Sequence, residues 1–130
     1  MFKQFTISTK ERYELVDITG EVEELVASSG VQDGTVAIFT PHSTAAIILT
    51  ENEPGLKQDW LEFLKTLVSG YDFKHDRIDD NADSHLLSGL LGQSRTLIID
   101  NGSLVRGAWQ NIFLVELDGS RERKVAININ

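Results

Sequence analysis

Three histidines, His42, His75 and His85, are the residues of this 130-residue chain best suited to chemistry near neutral pH. Imidazole both ligates divalent metals and moves protons in that range. None of the three falls in a regular apolar stripe. His42 follows Pro41 in a break between two apolar runs, His75 lies in an acidic segment, and His85 opens a leucine-rich stretch. Three imidazoles around one open position form a known catalytic zinc arrangement. A shared site for a divalent metal, or for a phosphate-like anion, is therefore the sharp expectation. The spacing matches no zinc motif, and the competing reading is three unrelated surface or capping histidines.

Carboxylates supply the second candidate. Asp72, Asp76, Asp79, Asp80 and Asp83 crowd residues 71–84. Hard oxygen ligands of this kind suit Mg²⁺ held together with substrate phosphates, but the segment lacks the glycine and glutamate positions of an EF-hand. The plainer reading is a solvated loop in which Asp80, Asn81 or Asp83 caps the next helix. Glu51 and Asn52 leave a wholly apolar run and would project at its end, while Glu53 suits the first turn of a helix electrostatically. Trp109-Gln110 opens an apolar strand and offers an aromatic face beside an amide; taken alone, an ordinary core tryptophan is the better explanation. Arg121, Arg123 and Lys124 form the only basic cluster, enough for one small anion.

The rest of the composition narrows the field. Twelve basic against twenty acidic residues give a formal net charge of −8 and a pI near 4.7. A surface of that sign repels polyphosphate, which argues against nucleic acid as a partner. With no cysteine there is no disulfide framework, thiolate zinc site or thiol nucleophile. No apolar run approaches the ~20 residues needed to cross a bilayer. The opening MFKQFTISTKER has no leader-like apolar stretch, so the cytoplasm is the expected compartment. A single domain over residues 1–130 is expected.

The elements that must position these residues follow from periodicity. Phe2 to Ser8 and Tyr13 to Ile18 read as two strands of a hairpin turning at Lys10-Glu11-Arg12. Ile18, Val22, Leu25 and Val26 mark a helix stopped by Gly30. Thr35 to Phe39 and Thr44 to Thr50 are apolar on both faces and read as buried strands around His42. A helix starts at Pro54, carries Leu56, Trp60, Phe63, Leu64 and Leu67 on one face, and ends near Gly70. After the acidic loop, Leu86, Leu87, Leu90 and Leu91 mark a short helix stopped at Gly92. Strands follow over Thr96 to Asp100, Trp109 to Leu117 and Arg123 to Ile129, with turns at Asn101-Gly102 and Asp118-Gly119. The result is an α+β chain, mostly antiparallel sheet with two to three helices.

Taken in order, His42-Ser43-Thr44-Ala45-Ala46, Glu51-Asn52, His75-Asp76, Ser84-His85, Leu91-Gly92, Gly107-Ala108-Trp109-Gln110 and Gly119-Ser120-Arg121 resemble the YjbQ-like family along nearly the whole chain. The resemblance implies a small antiparallel β-sandwich assembling as a homotrimer. It implies a pocket with His42, His75, His85 and Glu51 as catalytic residues, and the three histidines as ligands of a divalent metal, zinc or magnesium. Asn52, Trp109, Gln110 and Arg121 would bind substrate, and no organic cofactor is expected. The activity implied is that of a secondary thiamine-phosphate synthase, which couples hydroxymethylpyrimidine diphosphate to a thiazole phosphate. The alternative is a non-catalytic trimer that binds a ligand or metal. Two positions depart from the family pattern: Leu87 stands where a lysine is frequent, and Asp83 where some members carry a further histidine. Strands apolar on both faces add an independent motive for assembly, since a small chain must bury them somewhere.

Overall fold

Period-two alternation in the last strand sends Val125, Ile127 and Ile129 inward and leaves Glu122, Lys124 and Asn128 exposed, so this strand faces a core on one side. The computed structural model describes residues Met1–Asn130 and gives eight strands. They are β1 (Phe2–Ser8), β2 (Glu14–Asp17), β3 (Gly34–Phe39), β4 (Ala45–Thr50), β5 (Ser94–Asp100), β6 (Ser103–Val105), β7 (Asn111–Glu116) and β8 (Glu122–Ile129). Three α-helices accompany them: α1 (Thr19–Ser29), α2 (Pro54–Leu67) and α3 (Ala82–Leu91). All strand pairs are antiparallel, in a five-stranded sheet ordered β1-β8-β3-β5-β6 and a three-stranded sheet ordered β2-β7-β4. The expected α+β sandwich is present.

The three-stranded sheet is the middle layer, which explains its two-sided apolar pattern. Ala45, Ile47, Ile112 and Leu114 point into a core shared with Val36, Ile38, Leu97, Ile99 and the β8 valine and isoleucines, with Val22 and Val26 of α1. Ala46, Ile48, Phe113 and Val115 point the other way, into a second core with Leu64 of α2 and Leu87 of α3. Both faces of β4 are thus covered within one chain. The argument that β4 needs a partner subunit is overturned by the helices, which supply the missing cover. β3 differs as well: only Val36 and Ile38 are buried, while Thr35 and Phe39 are exposed on the outer face of the large sheet.

Several local expectations held. Gly30 ends α1 with φ +77, a left-handed conformation that costs glycine nothing. Asn101 and Gly102, at φ +51 and +78, form a two-residue turn closing on the Asp100–Ser103 pair. The strand entered from that turn is β6, three residues long, rather than the strand beginning at Trp109. The β1–β2 hairpin does not form. β1 pairs with β8 and β2 with β7, so the Thr9–Tyr13 connection crosses between sheets. Strand β7 begins only at Asn111, because a turn closes ahead of it: Gln110 N–H donates to the Gly107 carbonyl at 3.0 Å. Trp109 is accordingly 72% exposed and not a core residue. The acidic segment is shorter than it reads, since Lys74–Arg77 forms a 3₁₀ turn and α3 starts at Ala82.

Where the two sheets meet, Arg123 of β8 and Glu116 of β7 form an ion pair, at 1% and 0% exposure. Arg123 Nε lies 2.9 and 3.0 Å from the two Glu116 oxygens, and its Nη2 also donates to the Thr44 hydroxyl at 2.8 Å and the Thr44 carbonyl at 3.0 Å. A pair this deep is stable only while both partners are present, because either charge alone would be buried without compensation. Arg123→Leu is expected to cost about 3–5 kcal/mol in urea unfolding. The double variant Arg123→Leu/Glu116→Leu should lose less than the single one, and a larger loss in the double would refute this account.

Candidate functional site

The segment linking β7 to β8, residues 117–121, carries Asp118 and Arg121, and the buried pair sets its course. Glu116 accepts the Asp118 N–H at 3.0 Å. Thr9 donates to Glu116 at 2.7 Å and its hydroxyl accepts the Arg121 N–H at 3.0 Å. Gly119 permits the close pass: a Cβ there would lie 2.1 Å from the Glu11 carbonyl oxygen. Burial favours the neutral form of Glu116, but hydrogen bonds from Arg123, Thr9 and the Asp118 amide outweigh it and hold the carboxyl below its ordinary range.

Asp118 is the hub of the exposed polar network that results. Its Oδ2 accepts from Asn81 at 2.9 Å and from Arg121 at 3.2 Å, and its Oδ1 lies 4.0 Å from Arg12. Since Asn81 donates its amide to Asp118, its carbonyl faces His75 Nε2 at 3.0 Å, which assigns the N–H of that ring to Nε2. His75 meets His85 edge to face, ring centroids 4.9 Å apart. Arg12, Asp79, Asp80, Asn81, Asp118 and Arg121 line a cleft of about 410 Å³ with no apolar wall. Guanidiniums on both sides of one carboxylate, with an imidazole pair behind, can bind an oxyanion and exchange a proton with it.

His42 reaches the same end of the middle sheet but another partner. Its Nε2 accepts the backbone N–H of Lys124 at 2.9 Å, so the ring is neutral with its proton on Nδ1. Burial lowers its pKa, and Arg123, Lys124 and Arg121 push it further down against the opposing pull of Glu116. The structure thus brings His75 and His85 together and engages His42 on β8. No group of three or more His, Asp or Glu side chains within the chain is arranged to hold a metal ion. Within the chain the three histidines are not grouped as the ligands of one ion: His42 is turned to β8, and His75 and His85 to each other.

Glu51, Asn52, Trp109 and Gln110 lie at the opposite end of the middle sheet, where β4 leaves and β7 enters. Five steps along β4 put the two ends about 17 Å apart. Here Asp17 organises the surface, accepting from Thr19 N–H at 2.9 Å, Asn52 at 2.9 Å and Asn111 at 2.7 Å. Its burial is outweighed by those bonds, so its pKa is lowered. Gln110 closes its own turn by accepting the Gly107 N–H at 2.7 Å, and Arg106 joins it to Glu23 at 2.7 Å. Glu51 is exposed, and Glu53 caps α2 through the Gly55 and Leu56 amides.

The family model for YjbQ-like UPF0047 proteins matches residues 3–130. The chain belongs to the YjbQ-like UPF0047 family. A UPF0047 protein of Archaeoglobus fulgidus is 45% identical over 125 residues, covering 95% of this chain and 97% of the relative. The Bacillus subtilis UPF0047 protein YugU is 35% identical over 99% of this chain and 98% of its own. Among solved structures, a YbjQ-like protein from Sulfolobus solfataricus P2 superposes with a TM-score of 0.97 at 47% identity, covering 99% of this chain and 95% of that one. No helix of this UPF0047 chain is long and apolar enough to cross a membrane.

Within the family frame, sequence reasoning passed over Arg12, Asn81 as a histidine partner, and Asp118. Arg12 sits in what reads as a polar turn, and its partners Asp80, Asp83 and Asp118 are too far along the chain for spacing to find. Asp83 serves Arg12 at 3.0 Å and the Tyr13 hydroxyl at 2.6 Å rather than a histidine. Asp76 accepts the Ala82 N–H at 3.0 Å, capping α3 from outside. Leu87 is 1% exposed in the second core, so its side chain is not at the cleft.

A neutral His42 gives a signed pH dependence. With a folded pKa below the unfolded value near 6.5, its contribution is complete above that pH and is lost as pH falls toward the folded value. Urea midpoints should therefore drop on acidification from pH 7 to 5.5, and the drop should flatten in His42→Gln, whose amide carries no titratable proton. An unchanged slope in the variant would show that His42 does not titrate with folding.

Proposed function

We propose that the chain is an enzyme of small phosphorylated substrates, working at the cleft between Arg12 and Arg121 and resembling secondary thiamine-phosphate synthase. The observation that carries this reading is the pair of guanidiniums flanking Asp118 beside the His75–His85 pair. Planar guanidinium matches phosphoryl oxygens through two parallel hydrogen bonds. In the coupling reaction the thiazole nitrogen forms a C–N bond to the pyrimidine methylene, while the C–O bond to diphosphate breaks and its electron pair leaves with the diphosphate. Little covalent work is required of the protein. Arg12 and Arg121 orient the phosphates, and the imidazole pair delivers a proton to the leaving group.

The donor set suits a hard cation better than zinc. Asp79 and Asp80 line the cleft and would hold Mg²⁺ in company with substrate phosphates, where the ion supplies charge neutralisation. A coupling assay with the diphosphate and the thiazole phosphate, run with Mg²⁺, with Zn²⁺ and with neither, tests the reading. Product is expected with Mg²⁺, reduced at least tenfold in Arg121→Gln, since a charge-assisted hydrogen bond is worth about 1.5–3 kcal/mol. No product above background in any condition overturns it.

One observation favours the non-catalytic alternative: the Asn52 and Gln110 amides are already engaged inside the chain, and their end of the sheet is remote from the cleft. Stoichiometric binding with release of unchanged ligand would select it.

The homotrimer remains part of the proposal, on different grounds from the two-faced β4. The outer face of the five-stranded sheet exposes Phe2 at 66%, Phe39 at 45%, Ile98 at 60% and Val105 at 52%, with no helix over it. Apolar surface of this extent on a soluble chain marks a contact. Light scattering should give three times the 14.5 kDa chain mass, falling toward the monomer in Phe39→Glu/Ile98→Glu. A stable wild-type monomer at micromolar concentration would refute it.

A further inference from the structure

A second cleft adjoins the proposed site and shares only Arg12 with it. Glu11, Arg12, Tyr13, Lys65, Val68 and Asp83 line a cleft of about 480 Å³. Arg12 is the wall it shares with the cleft of Asp118 and Arg121. Its floor is Tyr13, 8% exposed, whose hydroxyl donates to Asp83 at 2.6 Å. Asp83 is already matched by that bond and by Arg12, whose Nη2 lies 3.0 and 3.2 Å from its two oxygens. Little of its charge is left to face a ligand.

Lys65 is different. It projects from the last turn of α2 with its ammonium 5.9 Å from the centre of the Tyr13 ring, and it takes part in no ion pair. An ammonium over an aromatic face is attracted to the ring but keeps its hydrogen-bond donors free. Val68 adds an apolar wall beside it.

We propose that this cleft is a second oxyanion subsite, with Lys65 as its free cation and Arg12 as the bridge to the first. The ligand class is a small organic molecule whose phosphate or carboxylate meets Lys65 while its ring or aliphatic body rests on Val68 and Tyr13. The proposal rests on the phosphate reading of the neighbouring cleft and extends it: two anionic groups are held on either side of one arginine, as joining two phosphorylated molecules requires.

Two-dimensional ¹H–¹⁵N NMR titration of the full chain with inorganic pyrophosphate, in phosphate-free buffer, separates the clefts. Shifts are expected at Asn81, Asp118 and Arg121 and, with a separate saturation curve, at Tyr13, Lys65 and Val68. Lys65→Gln should weaken the second curve about tenfold and leave the first unchanged, because one charge-assisted hydrogen bond is lost. Arg121→Gln should do the reverse. Shifts confined to Asn81, Asp118 and Arg121, indifferent to Lys65→Gln, overturn the second subsite while leaving the proposed function standing. Shifts at neither cleft overturn both. Repeating the titration with citrate tells a phosphate preference from a general affinity for oxyanions, and an equal response keeps the carboxylate arm of the ligand class.

Discussion

The buried ion pair between Glu116 and Arg123 is the constraint on which the working end of the molecule depends. A carboxylate without solvent requires compensation at each oxygen. Glu116 obtains it from Arg123, the Thr9 hydroxyl and the Asp118 amide, while Arg123 Nη2 also donates to Thr44. Those partners come from the end of β1, the start of β4, the β7–β8 link and β8 itself. One electrostatic requirement therefore ties both sheets together at one end and sets the path of the segment bearing Asp118 and Arg121. No buried side-chain nitrogen or oxygen is left without a partner, so the requirement is fully met.

The middle sheet places the helices that complete the cleft. β4 is an edge strand of its own sheet, and an unpaired edge inside a protein must be satisfied. Helix α3 does this: Ser88 donates its hydroxyl to the Ala45 carbonyl, and the Ile47 N–H reaches the Gly92 carbonyl at 3.0 Å. At its other end Ser84 donates to the Leu117 carbonyl. Docked at both ends, α3 carries His85 in its first turns next to the β7–β8 link, and His75 follows on the 3₁₀ turn just before it. Apolar packing and edge satisfaction thus determine where the imidazoles stand.

Basic side chains cluster at the working end, among the carboxylates that pair with them. The chain is acidic overall, yet Arg12, Arg121, Arg123 and Lys124 gather at one end of the middle sheet, while Asp17, Glu23, Glu51 and Glu53 gather at the other. Among these, only Arg123 is withdrawn from solvent, in its pair with Glu116; Arg12 and Arg121 also meet carboxylates, Asp83 and Asp118, but at the surface. The exposed arginines, about half accessible, still present guanidinium edges to solvent. His42, surrounded by them and desolvated, stays neutral and serves the backbone of β8 instead.

Sequence by itself determined the glycine turns and the two-sided burial of β4, but not the exposed outer face of β3 or the exposure of Trp109. Gly30 and the Asn101-Gly102 turn follow from left-handed backbone that few residues tolerate, and the strands and helices follow from the spacing of apolar side chains. The two-sided apolar run of β4 was legible as burial on both faces, and side-chain chemistry singled out the histidines and the basic cluster with Arg121. Tertiary structure alone decided the partners. A short link after β1 is compatible with a hairpin, but β1 and β2 joined different sheets because strand pairing is settled by long-range packing rather than by loop length. The same applies to the site: Arg12 with Asp83, Asn81 with Asp118, and His42 with Lys124 are contacts between residues 37 to 82 positions apart. Which of the eight expected residues share a place, His42, His75, His85 and Arg121 at one end and Glu51, Asn52, Trp109 and Gln110 at the other, depends on the direction in which β4 and β7 cross the sandwich. Local periodicity carries no information about that direction, because side-chain alternation reads the same from either end of a strand.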